Sequence, residues 1–287
     1  MERTLAFFGF GEAGQAFASG VGQAGLTLSA YDIKLEDADQ APALRGIMKR
    51  LQVQAVSVAD LGRDRDVFCL VTADQAGAAA RAVAPYLHGG GLWLDGNSCS
   101  PGSKRQAAAV IEATGGRYVD LAIMAPVHPH RHRTPMLVSG PHAAAAAEVL
   151  ATLGMNASVA GPEVGQASAI KMMRSVIIKG FEALTAEAFL AARAAGVEDA
   201  VIASLQASDP GLNWSGRASY NLDRMLVHGT RRAAEMAEVA ATLRELGLPD
   251  RMAQATIPWQ AELAALRLDP GPDSLGQRAD MILRALR

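Results

Sequence analysis

The chain has 287 residues, half of them hydrophobic, enough to bury a core in one large or two ordinary domains. Its formal net charge of −2 and lack of a basic tract argue against nucleic acid as the main partner, and no apolar run approaches the roughly 18 residues of a membrane span. The N-terminus enters a strand-like run without a signal-peptide pattern, and Cys69 and Cys99 lie in no CxxC or metal-ligand arrangement, so a cytoplasmic protein with reduced thiols is expected.

Thr4–Phe8 reads as a short buried strand, followed by Gly9-Phe10-Gly11-Glu12-Ala13-Gly14 and a helical run over 15–24. Thr27–Tyr31 is a second strand ending in Asp32, so the first βαβ unit closes within about 30 residues. Apolar runs at 67–71 and Leu92–Asp95, separated by an alanine-rich helix over 75–87, continue a parallel-sheet rhythm. Strands at 117–121, Met136–Ser139 and 156–159, with helices over 104–114 and 142–153, complete an α/β domain of residues 1–162. After Gly161-Pro162 the strand signals stop, and residues 163–287 read as all-helical. Their elements are a long helix over 165–195, a helix at 198–206, a polar loop at Asp209-Pro210-Gly211, a helix over 221–246 ended by Gly247 and Pro249, and a last helix pair.

The long helix carries Met172, Met173, Val176, Ile177, Ile178, Phe181 and Leu184 around most of its circumference, so burial on several sides is expected. Lys171, Ser175 and Lys179 nevertheless share one stripe, where a polar face on an apolar helix needs partners. Partial desolvation lowers a lysine pKa toward the range useful for proton transfer, which makes Lys171 the candidate acid/base.

The GxGxxG run follows a strand, opens a helix, and has Asp32 18 positions beyond Gly14 at the end of the second strand. Gly9, Gly11 and Gly14 permit close backbone approach to a pyrophosphate, whose charge would sit on the amides of Phe10, Glu12 and Ala13 at the helix start. The Asp32 carboxylate suits ribose hydroxyls and repels a 2′-phosphate, so NAD is expected over NADP, although Lys34 softens that preference. Asp32 also suits a cap on the following turn.

The run Gly165-Gln166-Ala167-Ser168-Ala169-Ile170-Lys171 resembles the catalytic-lysine motif at the head of the interdomain helix of the β-hydroxyacid dehydrogenases, the family of 3-hydroxyisobutyrate and 6-phosphogluconate dehydrogenases. Gly9, Gly11, Gly14 and Tyr31-Asp32 match that family's NAD-preferring fingerprint. The resemblance implies an α/β N-terminal Rossmann domain, an all-α C-terminal domain joined to it by a long interdomain helix, and a homodimer with interlocked helical domains. It adds Val71, Thr72 and Asn97 to the cofactor contacts, and Asn97-Ser98-Cys99-Ser100-Pro101 resembles the loop that lines the nicotinamide.

Residues 119–126 fall where the family has its substrate loop, and there only Asp120 and the small, apolar character match. Met124, Ala125 and Pro126 stand in place of the serine and glycines that hold a substrate carboxylate, and Ser175 in place of the asparagine four residues beyond the lysine. From Asp223 onward the chain resembles a divergent subgroup with an HGxRRAxEM helix, in which His228, Arg231 and Arg232 either supply cationic donors to an acid or form an ion-paired helix face. The run His128, His130, Arg131, His132, Arg133 lacks a local carboxylate or cysteine, so a basic substrate wall or an exposed loop is expected rather than a metal site.

The expected activity is NAD-dependent oxidation of a hydroxyl on a small β-hydroxy acid, with Lys171 relaying the proton, Ser98 and Ser175 positioning the substrate, and the nicotinamide in the interdomain cleft. Oxidative decarboxylation of a sugar acid, imine reduction, or a non-catalytic NAD-binding regulatory role are the alternatives on the same scaffold.

Overall fold

The computed structural model describes residues 4–21, 26–63, 66–87 and 90–286. It opens on β1 (Thr4–Phe8), α1 (Glu12–Val21) and β2 (Thr27–Tyr31); positions 22–24 of the expected first helix lie outside the described residues. Side chains alternate along β1, with Leu5 and Phe7 in one apolar cluster and Ala6 and Phe8 in another, so the strand is buried on both faces as a parallel sheet requires. The next elements, α2 (Ala41–Arg50), β3 (Val53–Ala55) and α3 (Val58–Leu61), were not legible in the sequence. The chain continues through β4 (Asp66–Cys69), α4 (Ala76–Val83), β5 (Leu92–Asp95), α5 (Pro101–Glu112), β6 (Arg117–Ile123), β7 (Met136–Ser139), α6 (Ala143–Thr152) and β8 (Ala157–Gly161).

These strands form one sheet of order β3-β2-β1-β4-β5-β6-β7-β8. All neighbours are parallel except β6 and β7. The first six positions follow the dinucleotide-binding order, with the topological switch between β1 and β4. Residues of α1, α2 and α6 pack with Phe7 and Phe68 on one face, and residues of α3, α4 and α5 with Phe8 and Trp93 on the other. Phe17 meets Phe68 edge-on, with ring centroids 5.6 Å apart.

Beyond β8 the chain is helical: α7 (Gln166–Ala194), α8 (Glu198–Ser208), α9 (Trp214–Glu245), α10 (Arg251–Ala265) and α11 (Leu275–Ala285). Asn213 caps α9 by accepting from the Gly216 amide at 2.9 Å, so this helix starts seven residues before the expected 221. Gly229 lets α9 approach α10, since a Cβ there would run into the Gln260 carbonyl. The chain divides into two compact units, Met1–Lys171 and Met172–Arg287, with the break inside α7. The second unit is built on Phe189, Leu190, Leu222, Met225, Leu263 and Ile282.

Burial of α7 differs from expectation. Met172 is buried, but Ile177 is 70 % exposed and Leu184 56 % exposed within the single chain. The reason is geometric: with Ile170, also exposed, they recur every seventh residue and define an outer stripe, whereas the second unit's core takes up Ala186, Phe189 and Leu190.

Candidate active site

The turn after β1 is shaped by its glycines. Gly9 has φ +89°, and a Cβ there would lie 2.7 Å from the Leu70 carbonyl oxygen and 2.9 Å from a Val71 methyl, so the β1 and β4 ends meet backbone to backbone. A Cβ on Gly14 would sit 3.0 Å from the Gly9 carbonyl oxygen, which holds α1 against the turn. Gly11 is different: a Cβ there meets no heavy atom within 4 Å. Gly11 thus leaves open space beside the first residues of α1, and a helix start of this kind favours an anion.

Phe10 donates its amide to Asp32 Oδ2 at 2.7 Å, and Lys34 donates its amide to Asp32 Oδ1 at 3.0 Å. Asp32 thus caps the short turn Ile33–Leu35 and ties the glycine turn to the end of β2. Tyr31 donates its hydroxyl to Glu36 at 2.6 Å, and burial together with that acid pushes the phenol up to about 12. Glu12 and Thr72 are exposed, and Phe10 is buried beside Phe7.

At the carboxyl end of β5, Asn97 is buried and tied to Asp95, whose Oδ1 accepts from the Asn97 amide at 3.0 Å and from Nδ2 at 2.7 Å. Asn97 Oδ1 is buried without a partner among the described residues. Next to it, Ser98 Oγ accepts from Lys171 Nζ at 2.6 Å. The head of α7 that presents Lys171 is capped by Asp120. Its Oδ2 accepts from the amides of Gly165 at 3.1 Å and Ser168 at 3.0 Å, and its Oδ1 accepts from the Ser168 hydroxyl at 2.5 Å. Ser139 supports both partners, donating to Asp120 Oδ2 at 3.0 Å and accepting from the Ala167 amide at 3.0 Å.

Lys171 is half-buried. Burial pushes Lys179, two turns further along the stripe, below the ordinary lysine range, with Glu235 opposing the shift. Lys179 donates to Glu235 at 2.5 Å and to Ser175 at 3.4 Å. Arg231 also pairs with Glu235, at 2.7 Å, and Arg232 pairs with Glu182 at 2.9 Å, so this face of α9 is ion-paired; His228 is half-buried on the same helix.

Met124 follows β6 and donates its amide to the Pro135 carbonyl at 2.8 Å; Met124 and Ala125 are half-buried and Pro126 is exposed. His128 and His130 are exposed, whereas His132 packs against α1, where a Cβ on Gly20 would strike its ring. No group of three His, Cys, Asp or Glu side chains among the described residues is placed to hold a metal.

At the sequence level Asp95, Ser139 and Ser168 had no role, and Asp120 only its match to the substrate loop. A signal was present: a carboxylate within or ending an apolar parallel strand needs a buried partner.

A family described as the NAD binding domain of 6-phosphogluconate dehydrogenase matches residues 4–161, and a domain of unknown function (DUF1932) matches residues 192–263. A conserved hypothetical protein of Sinorhizobium meliloti is 38 % identical, with 99 % of this chain and 97 % of that one covered and a TM-score of 0.79. A second solved protein of unknown function, reported as structurally similar to 3-hydroxyacid dehydrogenases, is 32 % identical over 92 % of this chain and 98 % of its own, with a TM-score of 0.73. The 3-hydroxyisobutyrate dehydrogenase of Mycobacterium tuberculosis shares the fold at 16 % identity, with a TM-score of 0.75 over 98 % of this chain and 99 % of its own.

Proposed function

The chain belongs to the β-hydroxyacid dehydrogenase family and carries its NAD-binding domain, and from that premise we propose that it oxidises the hydroxyl of a small β-hydroxy acid, with NAD preferred over NADP. The observation that carries this reading is the 2.6 Å contact of Lys171 Nζ with Ser98 Oγ, at the end of β5 in the unit that holds the glycine turn. Bound NAD supplies the hydride acceptor.

In this reading the amides that open α1 and the space at Gly11 hold the pyrophosphate, Asp32 takes the ribose hydroxyls, and Val71, Thr72 and Asn97 line the rest of the cofactor. Asn97 Oδ1 offers its unused acceptor to a cofactor or substrate donor. Lys171, as the neutral amine, takes the proton of the substrate hydroxyl, and Ser98 fixes the amine's direction. Met124, Ala125 and Pro126, beside β6, shape the substrate's surroundings on the cofactor domain. Residues 1–162 form the cofactor domain and 163–287 the substrate and dimer domain. The exposed stripe of Ile170, Ile177 and Leu184 supports a homodimer, a second copy covering what one chain leaves open. No helix among the described residues is long and apolar enough to cross a membrane, and the buried thiols of Cys69 and Cys99, not joined in a disulfide, fit our placement of the protein in the cytoplasm.

The test is a panel of aliphatic, sugar-derived and aromatic hydroxy acids followed by NADH absorbance, run on the native protein and on Lys171→Met. The native enzyme turns over at least one acid, and the variant keeps its fold while kcat falls at least ~10²-fold. Full turnover by Lys171→Met refutes the acid/base role, and trapped carbon dioxide would redirect the reading to oxidative decarboxylation.

A further inference from the structure

Under the site lies a buried cation to which no role above has been given. Lys104, on α5, is fully buried. Its Nζ lies 3.0 Å from Asp95 Oδ1 and 3.5 Å from Asp120 Oδ1, and it donates to the Asp95 carbonyl oxygen at 2.5 Å. Burial alone would push this ammonium down, but the two carboxylates outweigh burial and raise it above the ordinary lysine range, so it stays charged. Tyr118 closes the group by donating its hydroxyl to Asp95 Oδ2 at 2.7 Å.

Stability alone is a poor reason for such an arrangement. Replacing a buried ion network with apolar side chains of similar volume is often neutral or stabilising, and α5 presents Ala107, Ala108 and Ile111 to the core nearby. What the network supplies is direction. Asp95 accepts two bonds from Asn97 and so fixes the loop that carries Ser98, while Asp120 accepts three bonds from the head of α7 and so fixes the turn that carries Lys171. Lys104 touches both carboxylates.

We propose that Lys104 is a positioning residue that sets the Ser98–Lys171 contact: by bridging Asp95 and Asp120 it ties the loop carrying Ser98 to the helical turn carrying Lys171. The functional weight of that contact rests on the reading of Lys171 as the acid/base. Lys104 itself transfers no proton, being charged and sealed from substrate. Ser98 and Lys171 come from segments far apart in sequence, and hydrogen-bond reach between them demands a brace of this kind.

The test uses Lys104→Met and Asp120→Asn in the full chain. Asp120→Asn keeps an oxygen in the place of Oδ2 for the amides of Gly165 and Ser168 but puts an amide nitrogen where Oδ1 faces Lys104, so it cuts the bridge and spares the two amide bonds of the cap, while the Ser168 hydroxyl must turn from donor to acceptor; it carries the test if Lys104→Met does not fold. In crystal structures of the folded variants, the Ser98 Oγ to Lys171 Nζ distance should open beyond about 3.5 Å, outside hydrogen-bond range. Trace acetic anhydride labelling read by mass spectrometry should show the titration midpoint of Lys171 falling by about half a pH unit or more in Asp120→Asn, while that of the exposed Lys49 stays put. A contact that remains closed in a folded variant, or an unmoved Lys171 midpoint, overturns the proposal. Undiminished turnover by Lys171→Met would overturn the acid/base reading instead, and leaves both of these measurements standing.

Discussion

The glycine turn makes a prediction in which two neighbouring glycines part company. At Gly11 an added Cβ meets nothing within 4 Å, and its φ lies outside the left-handed region, so Gly11→Val should cost the fold less than about 1 kcal/mol. The isopropyl group would instead occupy the space in front of the first α1 amides. If two charge-assisted bonds from those amides to a pyrophosphate are lost, each worth about 1.5 to 3 kcal/mol, the sum is about 3 to 6 kcal/mol, or ~10² to 10⁴ in Kd. At Gly9 the balance reverses. Gly9→Ala forces a side chain into φ +89° and sets its Cβ 2.7 Å from the Leu70 carbonyl oxygen, so the backbone must move and the loss falls on stability, by about 2 to 4 kcal/mol. NADH fluorescence titration and urea unfolding of both variants separate the two effects. Native NADH affinity in Gly11→Val refutes the assignment of this space to the pyrophosphate.

Asp32→Ala should weaken NAD more than NADP; because Asp32 also holds the Phe10 amide, both affinities fall, and an unchanged NAD:NADP ratio in binding titrations would remove Asp32 from the ribose. Ile177→Glu places a charge in the exposed α7 stripe and should convert a particle of about 60 kDa by light scattering into one near the 30.0 kDa chain mass, whereas a native protein already at that mass rules out the dimer. Lys179→Met strips the buried Glu235 of a cationic partner and should cost about 1 to 3 kcal/mol in urea unfolding, so an unchanged midpoint would mean that the pair holds nothing.

The local patterns of the first strand, the glycine turn and the acid at the end of β2 were enough to read the cofactor half of the fold, because each of these features is set by neighbours in sequence. The segment from Ala41 to Ala55 escaped notice: its helix carries Pro42 and Gly46, and its strand is three residues long with one exposed glutamine. Apolar content along α7 said how much surface needs covering but not which chain covers it. Lys104 was invisible for a different reason. In an alanine-rich helix a lysine reads as a surface residue, and the carboxylates that seal it in come from the ends of β5 and the middle of β6. Long-range polar pairing of that sort leaves no periodic trace.

The continuity of α7 also restricts how this chain can vary in length. Its 29 residues run unbroken from a first turn pinned by Asp120 to the turns that bear Lys179 and Glu182, with no loop between to absorb a change of register. At 3.6 residues per turn, one residue inserted after Ser168 would rotate every later side chain by about 100° relative to that pinned turn, swinging Lys171 away from Ser98. Homologues should therefore keep the residue count of this helix from Ser168 onward, even where its other side chains change, and place their insertions and deletions in the loops on either side.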